Sequence, residues 1–103
     1  MNDLSELQKH ASEAANLLKA MSNESRLMIL CSLLGKEMSV SELNDLVPLS
    51  QSALSQHLAS LRKSRLVTTR KASQTVFYSV ANEAPAKVIA VLKSIYCPDL
   101  EDN

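Results

Sequence analysis

Apolar residues in the first third of the chain recur at the spacing of an α-helix. A first stripe consists of Leu4, Leu7, Ala11, Ala14, Leu18 and Met21. Its intervals of three and four residues predict one amphipathic helix that continues to about Ala20. A second helix is expected to begin at Asn23, a favoured N-cap residue, and to end at Gly35. Because residues 26–34 are predominantly apolar, this second helix is predicted to form the core of the domain.

Two further helices, separated by a short turn, are predicted in the middle of the chain. Ser39 and Glu42 fit a capping box, and the helix that they begin should end before Pro48. Ser50 follows the turn and can cap the next helix. The buried stripe of that helix is predicted to be Leu54, Leu58 and Leu61. Helix, brief turn and helix is the order of a helix-turn-helix unit.

The outward face of the helix that begins after Ser50 is polar but nearly uncharged. Its residues are Gln51, Ser52, Ser55, Gln56, Ala59 and Arg62. A solvated helix face is usually built from Lys and Glu, whereas Ser and Gln suit hydrogen bonding to base edges and Ala59 allows close approach to a groove wall. This composition favours a recognition helix that lies in a DNA groove, with a plain surface helix as the alternative.

Residues 66–70 and 75–80 are two β-branched and aromatic runs, separated by four residues. They predict a β-hairpin, which beside a helix-turn-helix would form a wing. The turn lacks the expected Gly or Asn-Gly, so its type stays open. Arg70 and Lys71 are expected to bring positive charge to the tip, within reach of a phosphate or a minor groove.

A final helix is predicted after the hairpin, with Asn82 as its cap and Pro85 in its first turn. Its apolar surface is large for a terminal helix and comprises Val88, Ile89, Val91, Leu92, Ile95 and Tyr96. We therefore expect a partner subunit to cover it.

Length and charge refine this picture. A chain of 103 residues, 46% of them hydrophobic, fits one domain over residues 1–103, mainly α with a small β-hairpin. The net charge is zero, yet no acidic residue lies between Asp45 and Glu83. That interval holds five bases: Arg62, Lys63, Arg65, Arg70 and Lys71. It is formally +5 and the rest of the chain −5, which favours a DNA partner over a chance cluster of solvated charges.

Other classes of protein lack support in the sequence. No apolar run approaches the roughly 20 residues that span a bilayer, and the start of the chain lacks a basic-then-apolar secretion signal. We expect a cytoplasmic protein without a membrane partner. A thiol oxidoreductase or persulfide carrier would need features that are missing here, namely a Cys-x-x-Cys, a His/Asp constellation or a Gly-rich cofactor loop. We expect no cofactor and no enzymatic activity.

Two segments carry a family resemblance. Residues 18–27, LKAMSNESRL, and residues 49–58, LSQSALSQHL, resemble the approach to the second helix and the recognition helix of the ArsR/SmtB family of winged-helix repressors. The order of predicted elements is similar over nearly the whole chain. The resemblance implies a homodimer that pairs through its first and last helices and binds an inverted-repeat DNA operator, with half-sites about one helical turn apart.

Many members of that family sense metals, but the ligands of such a site are absent. The segment 42–46, where metal-sensing relatives carry thiolates, has no Cys, and the last helix has no His. His10 is expected to be solvated, and His57 to be a satisfied core histidine or a phosphate contact. A metal-sensing repressor is therefore the less favoured alternative.

Cys31 and Cys97 are the two cysteines of the chain. Buried cysteine is a common small hydrophobe, and Cys31 lies in an apolar run, so a structural role is the simpler interpretation. The pair nevertheless resembles the dithiol branch of the family, the haemolysin-activator regulators and sulfide-responsive repressors. That resemblance implies a redox-sensing pair, in which reactive sulfur species or oxidants bridge Cys31 to Cys97 by a disulfide or polysulfide and change operator affinity.

The sequence thus predicts a homodimeric regulator of transcription that releases its operator when the dithiol is bridged. The candidate DNA-binding residues are Ser50, Gln51, Ser52, Ser55, Gln56, Arg62, Lys63, Arg70 and Lys71. The first five lie in or before the recognition helix, and the bases are expected at phosphates or in the wing. A regulator with structural cysteines that competes with a silencer protein remains the alternative.

Overall fold

The structure is a computed structural model that describes residues 3–100. Residues 1, 2 and 101–103 of the predicted domain lie outside the described part. The elements in chain order are α1 (Asp3–Met21), α2 (Glu24–Leu33), β1 (Met38–Ser39), α3 (Val40–Leu46), α4 (Gln51–Lys63), β2 (Val67–Ala72), β3 (Thr75–Val80), α5 (Glu83–Tyr96) and a short 3-10 helix (Pro98–Leu100). The predicted winged helix-turn-helix order is confirmed.

Polar side chains cap four of the helices where the sequence predicted. Asn23 accepts a hydrogen bond from the Arg26 N–H at 3.1 Å, and Ser50 accepts one from the Ala53 N–H at 3.1 Å. Asn82 caps α5 in the same way. Ser39 forms the full capping box with Glu42. The helix starts are therefore fixed locally, because each cap satisfies an amide that the helix itself leaves without an acceptor.

Three antiparallel strands form the sheet, in the order β1-β3-β2. In the β2–β3 hairpin Val67 pairs with Val80 and Ala72 with Thr75, so β2 runs two residues beyond the predicted end at Arg70. The turn is therefore only two residues long, and Ser73 has a φ of 59°. Two-residue hairpin turns use this left-handed backbone because it matches the twist of the strands. The short β1 pairs with β3 and was not predicted.

The core lies where α2 meets the helix-turn-helix unit. Seven side chains have no exposed surface: Ile29, Leu30, Leu33, Leu43, Leu54, Leu58 and Leu61. The predicted buried stripe of α4 is confirmed by the last three. Gly35 follows the end of α2 with a φ of 72°, a conformation that stops a helix readily when the residue is glycine.

Two helices keep much of their apolar surface in contact with solvent. On α1, Leu4 is 66% exposed and Leu7 58%, and on α5, Ile95 is 60% exposed and Tyr96 77%. The stripe that predicted α1 is therefore largely uncovered in the single chain. Among the described residues no helix is both long and apolar enough to cross a membrane.

Candidate DNA interface

The recognition helix α4 presents the face that the sequence predicted. Its exposed residues include Gln51, Ser52, Ser55, Gln56, Ala59 and Arg62. On the opposite side Leu54, Leu58 and Leu61 are fully buried, so the core determines which face of the helix is exposed. The turn before the helix is held by Asn44, whose side-chain amide donates to the Leu49 carbonyl at 2.8 Å. The polar face is therefore directed away from the core.

His57 fastens the flank of α4 to the rest of the molecule. Its Nδ1 accepts a hydrogen bond from Arg26 Nε at 3.2 Å, and Arg26 Nη1 donates to the Ala20 carbonyl at 3.1 Å. His57 is half-buried, in line with a satisfied histidine. The sequence did not identify Arg26 as the partner, because 31 positions separate the two residues. His10 is exposed, as expected, and its Nδ1 lies 2.9 Å from Glu13 Oε1.

The candidate DNA-binding bases at the end of α4 and in the wing fall into two groups. Arg62, Lys63 and Lys71 are exposed, and within the described part of the chain none of them forms an ion pair. Arg62 and Lys63 occupy the last turn of α4, and no acidic residue occupies its first turn. These three cations are available for phosphates.

Arg70 already has an intramolecular partner. Its Nε lies 3.1 Å from each carboxylate oxygen of Glu37, and its Nη2 also donates to Glu37. The guanidinium carbon sits 5.1 Å from the centroid of the Phe77 ring, within range of a cation–π interaction. The hydrogen bond from Arg70 lowers the pKa of Glu37 and the same contact raises the pKa of Arg70. The sequence placed Arg70 near the wing tip, but the two-residue turn at 73–74 is the tip, and Arg70 ties β2 to the segment after α2.

Both predicted sensing cysteines are free thiols. Cys31 is exposed on α2, although the apolar run around it had favoured burial. Cys97 is half-buried at the C-cap of α5, where its backbone N–H donates to the Lys93 carbonyl at 2.7 Å. The helices that carry or precede them, α2 and α5, pack against each other.

No group of three or more His, Cys, Asp or Glu residues that could hold a metal ion occurs among residues 3–100.

Comparison with known proteins gives this architecture a family. Residues 23–69 match the model of the bacterial regulatory protein arsR family. The transcriptional activator HlyU of Vibrio cholerae is 53% identical over 95 residues, which cover 92% of this chain and 88% of HlyU. The regulator YgaV of Escherichia coli K12 is 48% identical over 99 residues, covering 95% of this chain and all of YgaV.

Solved structures show the same similarity. Reduced HlyU from Vibrio cholerae superposes with a TM-score of 0.83 at 53% identity, covering 89% of this chain and 97% of that one. The repressor BigR from Xylella fastidiosa superposes with a TM-score of 0.87 at 38% identity, covering 94% and 98%.

The fold, the exposed polar helix and these relatives define a winged-helix, DNA-binding regulator of transcription, a class that is not enzymatic. The chain belongs to the arsR family of bacterial regulatory proteins.

Proposed function

We propose that the chain acts in the cytoplasm as a homodimer that binds an inverted-repeat operator and releases it when Cys31 and Cys97 are bridged. The observation that carries the DNA-binding part of this proposal is the polar, exposed face of α4. The helix ends in two exposed basic residues, Arg62 and Lys63. Side chains of this kind, on a helix backed by a rigid core, suit insertion into a major groove.

Each part of the interface has a distinct role in this proposal. Gln51, Ser52, Ser55 and Gln56 contact bases or nearby phosphates, and the N-terminal end of α4, capped by Ser50, faces a phosphate. The phosphate contacts at the end of α4 and in the wing come from Arg62, Lys63 and Lys71. Arg70, which the sequence also suggested, instead supports the wing through Glu37.

The proposed dimer follows from the uncovered apolar faces. The exposed large side chains of the two outer helices are Leu4, Leu7 and Leu18 on α1 and Val91, Ile95 and Tyr96 on α5. A second copy of the chain would remove these faces from water, which is the dominant driving force for such association. Two-fold symmetry would then give two recognition helices and therefore a palindromic operator.

The proposed signal is a reactive sulfur species, and Cys31 is the better placed thiol to meet it because it is exposed. Its thiolate attacks the outer sulfur of a persulfide such as glutathione persulfide, which forms a Cys31 persulfide and releases glutathione. The Cys97 thiolate then attacks the inner sulfur, which forms the Cys31–Cys97 disulfide and releases hydrogen sulfide. If both cysteines are persulfidated first, the terminal sulfur of the Cys97 persulfide attacks the inner sulfur of the Cys31 persulfide, which forms a trisulfide and releases hydrogen sulfide.

A bridge would join α2, in the core, to the end of α5, in the proposed dimer interface. A coupling of about 1–3 kcal/mol between the two sites would change operator affinity by roughly 5- to 150-fold. The similarity to HlyU, which has been solved in a reduced form, supports the proposal that the redox state of these thiols matters.

The test is operator binding by fluorescence anisotropy, on reduced protein and after treatment with glutathione persulfide, with intact masses recorded. Cys31→Ser and Cys97→Ser serve as matched variants. The proposal expects treatment to weaken binding only in the wild type, together with a mass that shows an internal bridge. Unchanged affinity would assign both cysteines a structural role and favour a regulator that responds to another signal or competes with a silencer protein.

A further inference from the structure

One side chain, Arg26, connects three helices at the point where they converge. It lies in the first turn of α2, donates to the Ala20 carbonyl near the end of α1, and donates to His57 on α4. Both contacts are partly buried. Arg26 lies on α2 and not on the exposed face of α4, so it is distinct from the proposed DNA contacts.

The chemistry of this contact fixes the state of the imidazole. A guanidinium has only donors, so the nitrogen of His57 that it meets must carry a free lone pair. The accepting nitrogen is Nδ1. This hydrogen bond therefore favours the tautomer with its proton on Nε2 and orients the ring.

The contact also limits how α4 can move relative to α1. The buried stripe of α4 consists of aliphatic side chains, whose packing decides which face of the helix meets the core but supplies no hydrogen bond that would hold the helix at one angle. The Arg26–His57 hydrogen bond adds a directional restraint at the flank of the helix. On a helix about 10–12 Å in diameter, a rotation of about 20° moves a side-chain tip by about 2 Å, enough to break a hydrogen bond to a base.

We propose that Arg26 is a positioning residue for DNA recognition, which sets the orientation of the recognition helix relative to α1 through His57 Nδ1. The inference rests on the proposed function, because α1 belongs to the proposed dimer interface. A restraint between α1 and α4 within one protomer then becomes a restraint on the spacing and angle of the two recognition helices. Its loss weakens binding to a correctly spaced palindrome and leaves non-specific binding intact.

Two substitutions of His57 separate this role from a direct phosphate contact. In His57→Asn the side-chain oxygen takes approximately the place of Nδ1 and can still accept from Arg26. In His57→Gln the amide reaches approximately to Nε2 and leaves Arg26 without its acceptor. Arg26→Lys keeps the charge but loses the planar, two-sided donor arrangement.

The probe is a duplex of about 30 base pairs, selected from a randomised library by the wild-type protein, which accommodates two half-sites one helical turn apart. Each variant is titrated against this duplex, against a random-sequence duplex, and against versions with one base pair added or removed between the half-sites. Thermal unfolding of each variant is measured to test whether the folded fraction is the same at the assay temperature.

We expect Arg26→Lys and His57→Gln to bind the selected duplex about tenfold more weakly, the effect of one lost hydrogen bond that leaves a partly buried group unpaired. Both should discriminate less against the altered spacings, with random-sequence binding unchanged. His57→Asn should behave as the wild type, and the double variant Arg26→Lys/His57→Gln no worse than either single one.

Three results would overturn the inference. Rescue by Gln rather than Asn would show that Nε2 is the important atom and that His57 contacts the DNA. Equal losses on selected and random duplexes would show a general defect rather than mispositioning. A wild-type protein without preference for any selected duplex would refute the proposed function itself, and this inference with it.

Discussion

Replacing Lys71 with alanine should flatten the salt dependence of operator binding. Each phosphate contact contributes about 0.9 to the slope of log affinity against log salt concentration, because a counterion is released. With Arg62, Lys63 and Lys71 at phosphates in both protomers, the slope should be roughly −5. Lys71→Ala removes one contact per protomer and should reduce its magnitude by about 1.8. The ratio of the wild-type operator affinity to that of Lys71→Ala should then fall about tenfold as the salt concentration rises from about 50 to about 200 mM.

Arg70→Ala provides the structural contrast one position away. Since the Arg70 guanidinium is already neutralised by Glu37, it should contribute little to counterion release when the protein binds DNA. We expect weaker binding at every salt concentration, because the wing loses its link to the segment after α2, with the slope nearly unchanged. Lys9→Ala, on α1 and paired with Glu6, is the control for a change of net charge away from the proposed DNA interface.

The assay is a series of anisotropy titrations of one labelled operator duplex at increasing salt. An unaltered slope in Lys71→Ala would show that the wing does not reach the DNA backbone. Equal slope changes in both wing variants would show that Arg70 leaves Glu37 and binds phosphate in the complex, contrary to the reasoning above.

Four further expectations follow from the same structure. Gln56→Ala should relax sequence preference in a binding-site selection, whereas equal losses on specific and random DNA would place Gln56 at the backbone. Leu58 is fully buried, so Leu58→Ala should lower the free energy of unfolding by about 3 kcal/mol in chemical denaturation, while Leu46→Ala, at a side chain 54% exposed, should cost far less. The pKa of Glu37 is lowered in the folded protein, so its contribution to stability is present above the ordinary value of 4.5 and is lost as the pH falls through the folded pKa. Glu37→Gln should therefore flatten that part of the curve of stability against pH. A curve parallel to that of the wild type would contradict this expectation. Ile95→Glu places a charge on the exposed face of α5 and should yield monomers in sedimentation velocity, whereas an unchanged dimer would put the interface elsewhere.

The sequence predicted those features that depend on residues close together in the chain. Two capping contacts join residues only three positions apart, Ser39 with Glu42 and Ser50 with the Ala53 amide. Both correctly predicted the start of a helix. The exposed face of α4 followed from the spacing of its leucines, because helical periodicity decides which side is buried.

The missed features are relations over long separations. Arg26 and His57 lie 31 positions apart, and Glu37 and Arg70 lie 33 apart. No local pattern announces either pair, since each depends on how separate elements pack. The strand β1 has only two residues and is defined by its pairing with β3, so it too carries no signal of its own. The length of β2 was underestimated because Ser73 provides the left-handed turn without the glycine that usually marks it.

The helix α2 gains a further meaning from the residues at its two ends. Arg26 and Cys31 are five positions apart on it, about 7.5 Å along the axis at 1.5 Å per residue. Both residues lie on the same helix, so a tilt of α2 imposed at the thiol would also displace the guanidinium. In the proposed mechanism the cysteine that receives the chemical signal and the arginine that orients the recognition helix therefore lie on one helix. No relay of intervening side chains is required.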